Sequence, residues 1–349
     1  MVLNDIIHRY LERFKAKYRQ TTTAQQWSAL NAMLGCRSGQ YGAVALACQK
    51  CEWAGTVLQS CGHRACNQCQ NHLASQWLAR QQNKLLPVKY FMVTFTIPFQ
   101  LRRVAETNQT LFYSLMFKCA TATLKQFAQR DRELNCELGM TGVLHTHSRQ
   151  LNYHPHVHFI VPAGGLNQAR NEWRKRKGPY LFKEQNLAKV YRAMLLKALK
   201  DNGLYLPYKL PNKWIVDCEH VGQGLPALKY LSRYLYKGVI SNSNIIYDDG
   251  TKVTFNYIDS ETGRTKKRQL AGEDFIALVL LHALPKGFRR ARDFGFLHGN
   301  ANKRLRLIQY LLQVKLPKFK PPEKPCFTCK NCQHPLSITG FIRPKPVPG

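Results

Sequence analysis

The chain has 349 residues, and 44% of them are hydrophobic, as expected of a globular protein with at least one sizeable core. Its 52 Lys and Arg against 20 Asp and Glu give a formal net charge of +32, which favours a polyanionic partner, above all nucleic acid. A membrane-spanning helix needs about 18 consecutive apolar residues, and no stretch of the sequence comes close to that length. The first residues also lack the apolar core of a signal peptide. We therefore expect a soluble intracellular protein that binds DNA or RNA and has no membrane partner.

Hydrophobic periodicity predicts a mixture of helices and strands. Residues 1–35 show helical spacing up to a break at 21–23, which predicts a helical arm that docks on the protein or faces DNA. Further helices are predicted at residues 71–86, 107–130 and 183–200. β-Branched and aromatic runs predict strands at 90–98, 142–148 and 154–161, and a hairpin at 253–270.

The 12 cysteines are clustered, and four of them form two CxxC pairs, Cys48/Cys51 and Cys66/Cys69. Thiolates from two such turns can close a tetrahedral zinc site, so these four cysteines are predicted to bind one zinc ion. A chain with a large core needs no disulfide framework, which favours metal binding in a reducing compartment. Buried free thiols are the alternative interpretation.

More ligand types are present than one tetrahedral site can use. Three lie close to the CxxC pairs, namely Cys36, Cys61 and His63. Four more form a CxxCxxCxH array, namely Cys326, Cys329, Cys332 and His334. The array predicts either a small zinc knuckle of its own or a single CxxC pair that completes a site shared with Cys36 or Cys61.

Residues 154–159 read HPHVHF, with a histidine at every second position. Alternate side chains of a β-strand share a face, so His154, His156 and His158 would project together. Such a row can hold a metal ion, although any one of these histidines could equally be a hydrogen-bonded core residue.

Residues 229–238 read KYLSRYLYKG and place Tyr230 and Tyr234 one turn apart on the same helix face. Taken alone, the pattern is also typical of an aromatic stripe buried against a sheet. Beside a histidine-bound metal, however, a tyrosine can attack phosphorus, because a cation stabilises the phenolate and the metal polarises the phosphate oxygens. Arg233 or Lys237 would supply the cation, and the products would be a 5′-phosphotyrosine link and a free 3′-OH.

Two basic stretches are predicted to contact DNA. Residues 171–180, NEWRKRKGPY, form either a solvated loop or a phosphate-contacting loop. Residues 284–306 interleave cations with phenylalanines, a combination that suits single-stranded DNA, unless the phenylalanines form a small core of their own. The predicted DNA-contacting cations are Arg174, Lys175, Arg176, Arg289, Arg290, Arg292, Lys303 and Arg304.

The ordered motifs SCGHRACNQC, LLPVKYFMVTFTIP, LHTHSRQLNYHPHVHF, YLSRYLYKG and LPKGFRRARDFGFLHGNANKRL resemble those of the rolling-circle insertion-sequence transposases of the HUH-nuclease superfamily, with zinc-binding N-termini. The resemblance extends over most of the chain. It implies an α+β fold in which an antiparallel sheet with flanking helices presents a His-hydrophobic-His pair beside helical tyrosines. An N-terminal zinc-ribbon-like module and a small C-terminal Cys/His knuckle would complete the molecule.

The resemblance implies roles for individual residues. His156 and His158 would be the metal ligands, Tyr230 and Tyr234 the two nucleophiles, and Lys237 a basic residue beside them. With two tyrosines, one can hold the cleaved element end while the other cleaves the target.

A third metal ligand is usual in such sites, and the sequence leaves its identity open. We take Gln150 as the ligand, and His145, His147 and His154 are the alternatives. Arg149 occupies a position where relatives tend to have a neutral or acidic side chain. Two histidines with an oxygen or amide ligand favour Mg²⁺ or Mn²⁺, whereas the cysteine sites favour Zn²⁺.

The predicted organisation has five segments. They are a helical arm at 1–35, a zinc-binding domain with its following helix at 36–86, a nuclease core with the tyrosine helix at 87–240, a basic DNA-binding extension at 241–315, and a Cys/His knuckle with a Pro-rich tail at 316–349.

The predicted function is nicking and rejoining of single-stranded DNA at element ends, in the bacterial cytoplasm and in association with the nucleoid. The sequence contains no GxxxxGK[ST] motif, so a host helicase or negative supercoiling would unwind the DNA. The alternatives are a plasmid replication initiator or relaxase of the same superfamily, and a non-catalytic zinc-ribbon protein that binds nucleic acid.

Overall fold

The structure, a computed structural model, describes residues 2–69, 71–236, 239–259, 262–314 and 326–344, without the side chains at positions 71, 233, 234 and 236. The helices are α1 Leu3–Tyr18, α2 Ala24–Leu34, α3 Asn71–Gln82, α4 Arg102–Thr107, α5 Gln109–Arg130, α6 Glu184–Asp201, α7 Leu225–Tyr236, α8 Gly272–Leu280 and α9 Asn302–Leu311. The strands are β1 Ala43–Cys48, β2 Ala54–Leu58, β3 Tyr90–Thr96, β4 Met140–His147, β5 Tyr153–Pro162, β6 Gly164–Asn167, β7 Glu172–Lys175, β8 Val216–His220, β9 Ile245–Asp248, β10 Lys252–Ile258, β11 Thr265–Ala271, β12 Ala291–Phe294 and β13 Leu336–Ile342. The fold is therefore α+β, as predicted.

A five-stranded antiparallel sheet forms the centre of the molecule, in the order β12-β4-β5-β3-β8. Alternation along β5 sends Val157 and Phe159 into the largest core, which α5 and α6 cover. Ile160 lies on the opposite face, where it packs with residues of α3 and α7 such as Trp77 and Leu231. The predicted strands 90–98, 142–148 and 154–161 are confirmed, and so are the helices on both faces.

A second sheet has the order β13-β1-β2. β1 and β2 form the hairpin that carries the first CxxC pair, and β13 lies antiparallel to β1, with Leu336 opposite Cys48. The strand β13 was not predicted, because a short run that is half exposed on both faces lacks a clear alternation. The C-terminal cysteine segment therefore joins the N-terminal sheet.

The predicted N-terminal arm is part of a core. Ile6, Tyr10 and Phe14 of α1 are buried against α8 and against the sheet β11-β10-β9. The sheet contributes Phe255 to this core, and α8 contributes Phe275. The Thr23 side chain accepts a hydrogen bond from the Gln26 backbone and begins α2. Residues 3–36 thus share a core with residues 240–283, so this core includes residues from more than one of the predicted segments. The division into five segments stays a prediction.

Two basic stretches contain strands that the sequence analysis did not predict. Residues 172–175 of the 171–180 run form β7, which pairs with β6, so the prediction of a loop is wrong for these 4 residues. Strand β12 lies within the 284–306 run and pairs with β4 at the edge of the central sheet. None of the described helices has the length and hydropathy that a membrane span requires.

Candidate active site and metal centres

Three histidines meet on the face of the central sheet that α7 covers. His145 of β4 lies opposite His156 of β5, and His158 follows two residues later on the same face. The three side chains each offer a ring nitrogen, and these atoms lie within 4.8 Å of one another. The predicted His156 and His158 pair is thus brought together, and His145 joins it.

Hydrogen bonds orient two of these rings. His156 Nδ1 donates to the backbone carbonyl of His154 at 2.7 Å, which leaves Nε2 as its remaining ring nitrogen. His158 Nδ1 lies 2.8 Å from Oγ1 of Thr94 on β3, which again leaves Nε2. A second partner of this kind fixes the orientation of a metal-binding imidazole.

Burial keeps the histidines neutral. It lowers the pKa of His156 to about 4 and holds the pKa of His145 and His158 well below the ordinary histidine value. A metal binds the neutral imidazole, so protonation does not compete with it near pH 7. The donor set of three neutral imidazoles therefore fits a divalent transition-metal ion.

The other candidate ligands are outside this cluster, although the His154 ring centroid lies 5.3 Å from that of His156. Gln150 is in the turn between β4 and β5, and its Oε1 accepts a hydrogen bond from Asn152 at 3.3 Å. His154 Nδ1 lies 2.8 Å from a guanidinium nitrogen of Arg102. His147 is buried beside Thr146, and the Thr146 hydroxyl also contacts His282.

The helix α7 places Tyr230 beside the histidine cluster. Its ring centroid lies 6.2 Å from that of His158 and 6.3 Å from that of His145. Leu228, Leu231 and other apolar residues of α7 pack against the sheet, so the helix holds Tyr230 over the histidines. The Tyr234 side chain and the whole of Lys237 lie outside the described residues.

The cysteines form two clusters of four, each with its sulfurs within 4.8 Å of one another. The clusters are Cys36, Cys61, Cys66 and Cys69, and Cys48, Cys51, Cys329 and Cys332. The two CxxC pairs predicted to share one zinc ion therefore belong to different clusters, because the β1-β2 hairpin turns the first pair toward the C-terminal cysteines. The pair Cys329/Cys332 therefore shares a cluster, as one alternative predicted, but the predicted partners Cys36 and Cys61 are wrong, because the partners are Cys48 and Cys51.

Three predicted additional ligands are in neither cluster. His63 Nδ1 accepts a hydrogen bond from the Ala65 backbone at 3.2 Å. Cys326 is exposed and free of disulfides. His334 contributes its carbonyl oxygen to a bond from the Cys329 backbone at 2.8 Å.

A cleft of about 1370 Å³ lies between α3, α7, β12 and α9 and is strongly basic. Its lining includes Trp77, Phe288, Phe294, Arg64, Arg80, Lys84, Arg289, Arg290, Arg292 and Arg306. Three cations of the lining, Arg64, Arg80 and Lys84, were not among the predicted DNA-contacting residues. For two of them the sequence offered a signal, the four-residue spacing between Arg80 and Lys84. Arg306 belongs to the basic run at 284–306 that was predicted to suit single-stranded DNA, and it lines the cleft too.

The predicted DNA-contacting cations differ in their surroundings. Arg289 is exposed at the cleft, and the guanidinium of Arg292 lies 4.5 Å from the Phe117 ring centroid and 4.8 Å from that of Phe288. Arg290, in contrast, is buried and donates to the carbonyl oxygens of Leu235 and His282 at 3.4 and 3.3 Å. These bonds hold the guanidinium inside the protein, and contact of Arg290 with DNA stays a prediction.

Other predicted cations are paired with carboxylates or exposed. Arg174 pairs with Glu172 at 2.7 Å and Arg304 with Glu137 at 2.8 Å. Arg176 pairs with Asp131 at 2.9 Å and Glu133 at 3.3 Å. Lys175 and Lys303 are exposed.

Comparison with known proteins places these features in a family. Residues 139–304 match the family model described as "Putative transposase", and residues 6–97 match the "Transposase zinc-binding domain". The chain is 31% identical over 338 residues to "Putative transposase y4qJ" of Sinorhizobium fredii (strain NBRC 101917 / NGR234), covering 90% of this chain and 84% of that protein. It is 29% identical over 289 residues to the "Transposase for insertion sequence element IS801" of Pseudomonas savastanoi pv. phaseolicola, covering 76% and 68%.

Among solved structures, the chain shows a distant likeness to the conjugative relaxase TrwC in complex with oriT DNA, in its metal-bound form. The TM-score is 0.34 at 16% identity, over 56% of this chain and 71% of that one.

The chain belongs to the rolling-circle insertion-sequence transposases with an N-terminal zinc-binding domain, within the HUH-nuclease superfamily. The predicted family and the predicted function of DNA transposition are confirmed, and they are favoured over a replication initiator, a relaxase or a non-catalytic binder. Zinc as a structural metal is supported by the zinc-binding domain match and by the cysteine clusters.

Proposed function

We propose that the chain cleaves and rejoins single-stranded DNA at element ends with Tyr230 as a nucleophile, beside a divalent metal ion held by His145, His156 and His158. The observation that carries the proposal is the position of the Tyr230 ring, 6.2 and 6.3 Å from the rings of His158 and His145. A metal ion held by the buried histidine cluster and a tyrosine on the neighbouring helix can act on the same phosphate group.

The reaction is a transesterification. The Tyr230 oxygen attacks phosphorus, the bond from phosphorus to the 3′ oxygen breaks, and the 5′ phosphate stays on the tyrosine. The phenol loses its proton to solvent, and the departing 3′ oxygen takes one up. Because one phosphodiester is exchanged for another, a 3′-OH can reverse the step and rejoin the strand.

The metal ion, when bound, would polarise the non-bridging phosphate oxygens and orient the phosphate for attack. Between the two predicted ions, three imidazole ligands favour Mn²⁺ over Mg²⁺, since Mg²⁺ prefers oxygen ligands. Thr94 and the His154 carbonyl hold two of the rings in a fixed orientation.

We propose His145 as the third ligand. Its ring nitrogen belongs to the cluster with His156 and His158, whereas Gln150 lies in the turn beyond these paired positions. Gln150 as a ligand remains a prediction. So do Tyr234 as the second nucleophile and Lys237 as their basic neighbour, both from the family resemblance.

The basic cleft is the proposed path of the single strand. Leu235 of α7 lines it, so the cleft adjoins the helix that carries Tyr230. Exposed Arg80, Arg289 and Arg306 can contact phosphates. The aromatic residues of the lining pack into the cores instead, since Trp77 and Phe288 are buried and Phe294 lies against Phe117 and Phe159. We further propose that a host helicase or negative supercoiling supplies the single strand, and that the protein acts at the nucleoid.

Covalent capture tests the proposal. The protein is incubated with labelled single-stranded DNA from an element end and Mn²⁺ or Mg²⁺, and adducts are resolved on a denaturing gel. Tyr230→Phe, Tyr234→Phe, the double variant and the His156→Ala/His158→Ala variant are compared with Tyr205→Phe, which removes the hydroxyl of an exposed tyrosine.

We expect an adduct for the unchanged protein and for Tyr205→Phe, and its loss in the histidine variant and in the double tyrosine variant. Peptide mapping of the adduct then identifies the attacking tyrosine. Tight DNA binding without an adduct under either metal, on several end sequences, would overturn the cleavage mechanism and leave a zinc-dependent DNA binder.

A further inference from the structure

The second cysteine cluster joins two segments that lie far apart in the chain. Cys48 and Cys332 have their sulfurs 3.5 Å apart, as do Cys51 and Cys329, and the Cys51 and Cys332 sulfurs are 3.6 Å apart. The zinc-binding domain match ends at residue 97, so it covers only the first two of these four residues.

We propose that Cys48, Cys51, Cys329 and Cys332 bind a second zinc ion, and that this ion fixes the segment 326–344 to the sheet formed with β1 and β2. The first zinc ion would lie at Cys36, Cys61, Cys66 and Cys69, within the matched domain. The inference is independent of the strand-cleavage mechanism.

The sulfur distances fit zinc. Four Zn–S bonds of about 2.3 Å in a tetrahedron place the sulfurs about 3.8 Å apart, close to the observed spacing and well beyond the about 2.05 Å of a disulfide. All four cysteines are free of disulfides. Four thiols crowded together without a cation would repel one another once ionised, so a bound cation explains the convergence.

The backbone around each pair is shaped for the same purpose. The Lys50 N–H donates to the Cys48 sulfur at 3.4 Å, in the turn between β1 and β2. On the other side, Cys329 lies in a turn closed by an isolated bridge between Thr328 and Pro335, and β13 follows directly. Each pair thus occupies the tight turn of a hairpin, as in a zinc ribbon.

The packing of 326–344 shows why a metal is needed. Within this segment Cys329 is the one fully buried side chain, and Phe341, Ile338 and Ile342 of β13 are largely exposed. The strand therefore gains little from apolar burial, and within the described part of the chain it is held by the β1 ladder and the cysteine cluster. A metal ion contributes the missing free energy in small modules of this kind.

Zinc content of the full chain tests the proposal. We expect two zinc ions per chain by elemental analysis, and one in the Cys329→Ser/Cys332→Ser variant. Cys326→Ser is the matched control, because Cys326 lies three residues from Cys329 but outside the cluster, and it should retain two. An unchanged zinc content in the double variant, or loss of zinc in the control, would overturn the second site.

A measurement on the unchanged protein does not depend on how the variants fold. Thiols are alkylated with and without a chelator, and modified positions are identified by mass spectrometry. We expect Cys48, Cys51, Cys329 and Cys332 to be protected until the chelator is added, and Cys326 to react at once. Rapid modification of Cys329 and Cys332 while Cys48 and Cys51 stay protected would contradict a zinc site shared by the two segments.

Discussion

The hydroxyl of Thr94 lies 2.8 Å from Nδ1 of His158, so a residue of β3 sets the orientation of a histidine ring on the neighbouring strand. Thr94→Val keeps the shape of the side chain and removes this contact. We expect Mn²⁺ affinity to fall about tenfold, which is the lower end of the cost of losing such a partner. Isothermal titration of the protein with Mn²⁺ measures the change.

The matched control is Thr96→Val, two residues along the same face of β3. The Thr96 hydroxyl donates to the Ile215 carbonyl at 2.8 Å. Mn²⁺ affinity should stay within about twofold in this variant. Equal losses in the two variants would mean that the strand as a whole, and not the Thr94 hydroxyl, supports the site.

The third ligand can be identified by a direct comparison. His145→Ala should abolish measurable Mn²⁺ binding or weaken it by at least about 100-fold, because it removes one of three imidazoles from the cluster. Gln150→Ala should leave affinity unchanged, since its amide bonds to Asn152 in the turn. The opposite ranking in the same titration would return the ligand role to Gln150.

The periodic parts of the fold could be predicted from the sequence. The histidine row on β5 follows from the alternation of strand side chains, and α7 follows from apolar residues at helical spacing. What periodicity could not supply was the register between β4 and β5. Register alone brings His145, and not His147, opposite His156.

Pairings between distant segments could not be predicted. Every CxxC pair has the same local pattern, so the sequence could not show that Cys48 meets Cys332 while Cys66 meets Cys36. Likewise, adjacent arginines look alike in a basic run, yet the structure buries Arg290 and exposes Arg289. Both outcomes depend on strands that pattern does not reveal, because β12 has only 4 residues and β13 lacks a clear alternation of buried and exposed positions.

The basic cleft predicts a salt dependence. Replacing Arg80, Arg289 and Arg306 by Gln should weaken single-stranded DNA binding and make the slope of log affinity against log salt about 2 units less steep. The reason is that each lost phosphate contact in a single strand removes about 0.7 from the slope. Fluorescence anisotropy at several salt concentrations gives both quantities.

A triple variant of equal charge serves as the control. Lys118, Lys125 and Lys189 are exposed on α5 and α6, on the other face of the central sheet. Replacing them by Gln removes the same three charges but should change the slope by less than about 0.5. If both triple variants lose the same slope, net charge and not the cleft governs binding.

Arg289 and Arg290 are neighbours for which we expect opposite effects of the same substitution. Arg290→Met removes two donors to the Leu235 and His282 carbonyls, and a lost bond to a charged group costs about 2 kcal/mol, so the melting temperature should fall. Arg289→Met should leave the melting temperature unchanged and weaken DNA binding, because its side chain is exposed at the cleft. Calorimetry measures the melting temperature of both variants, and fluorescence anisotropy measures their affinity for single-stranded DNA. A stable Arg290→Met protein with weakened DNA binding would contradict this expectation and indicate that Arg290 leaves its buried position to contact the phosphate backbone.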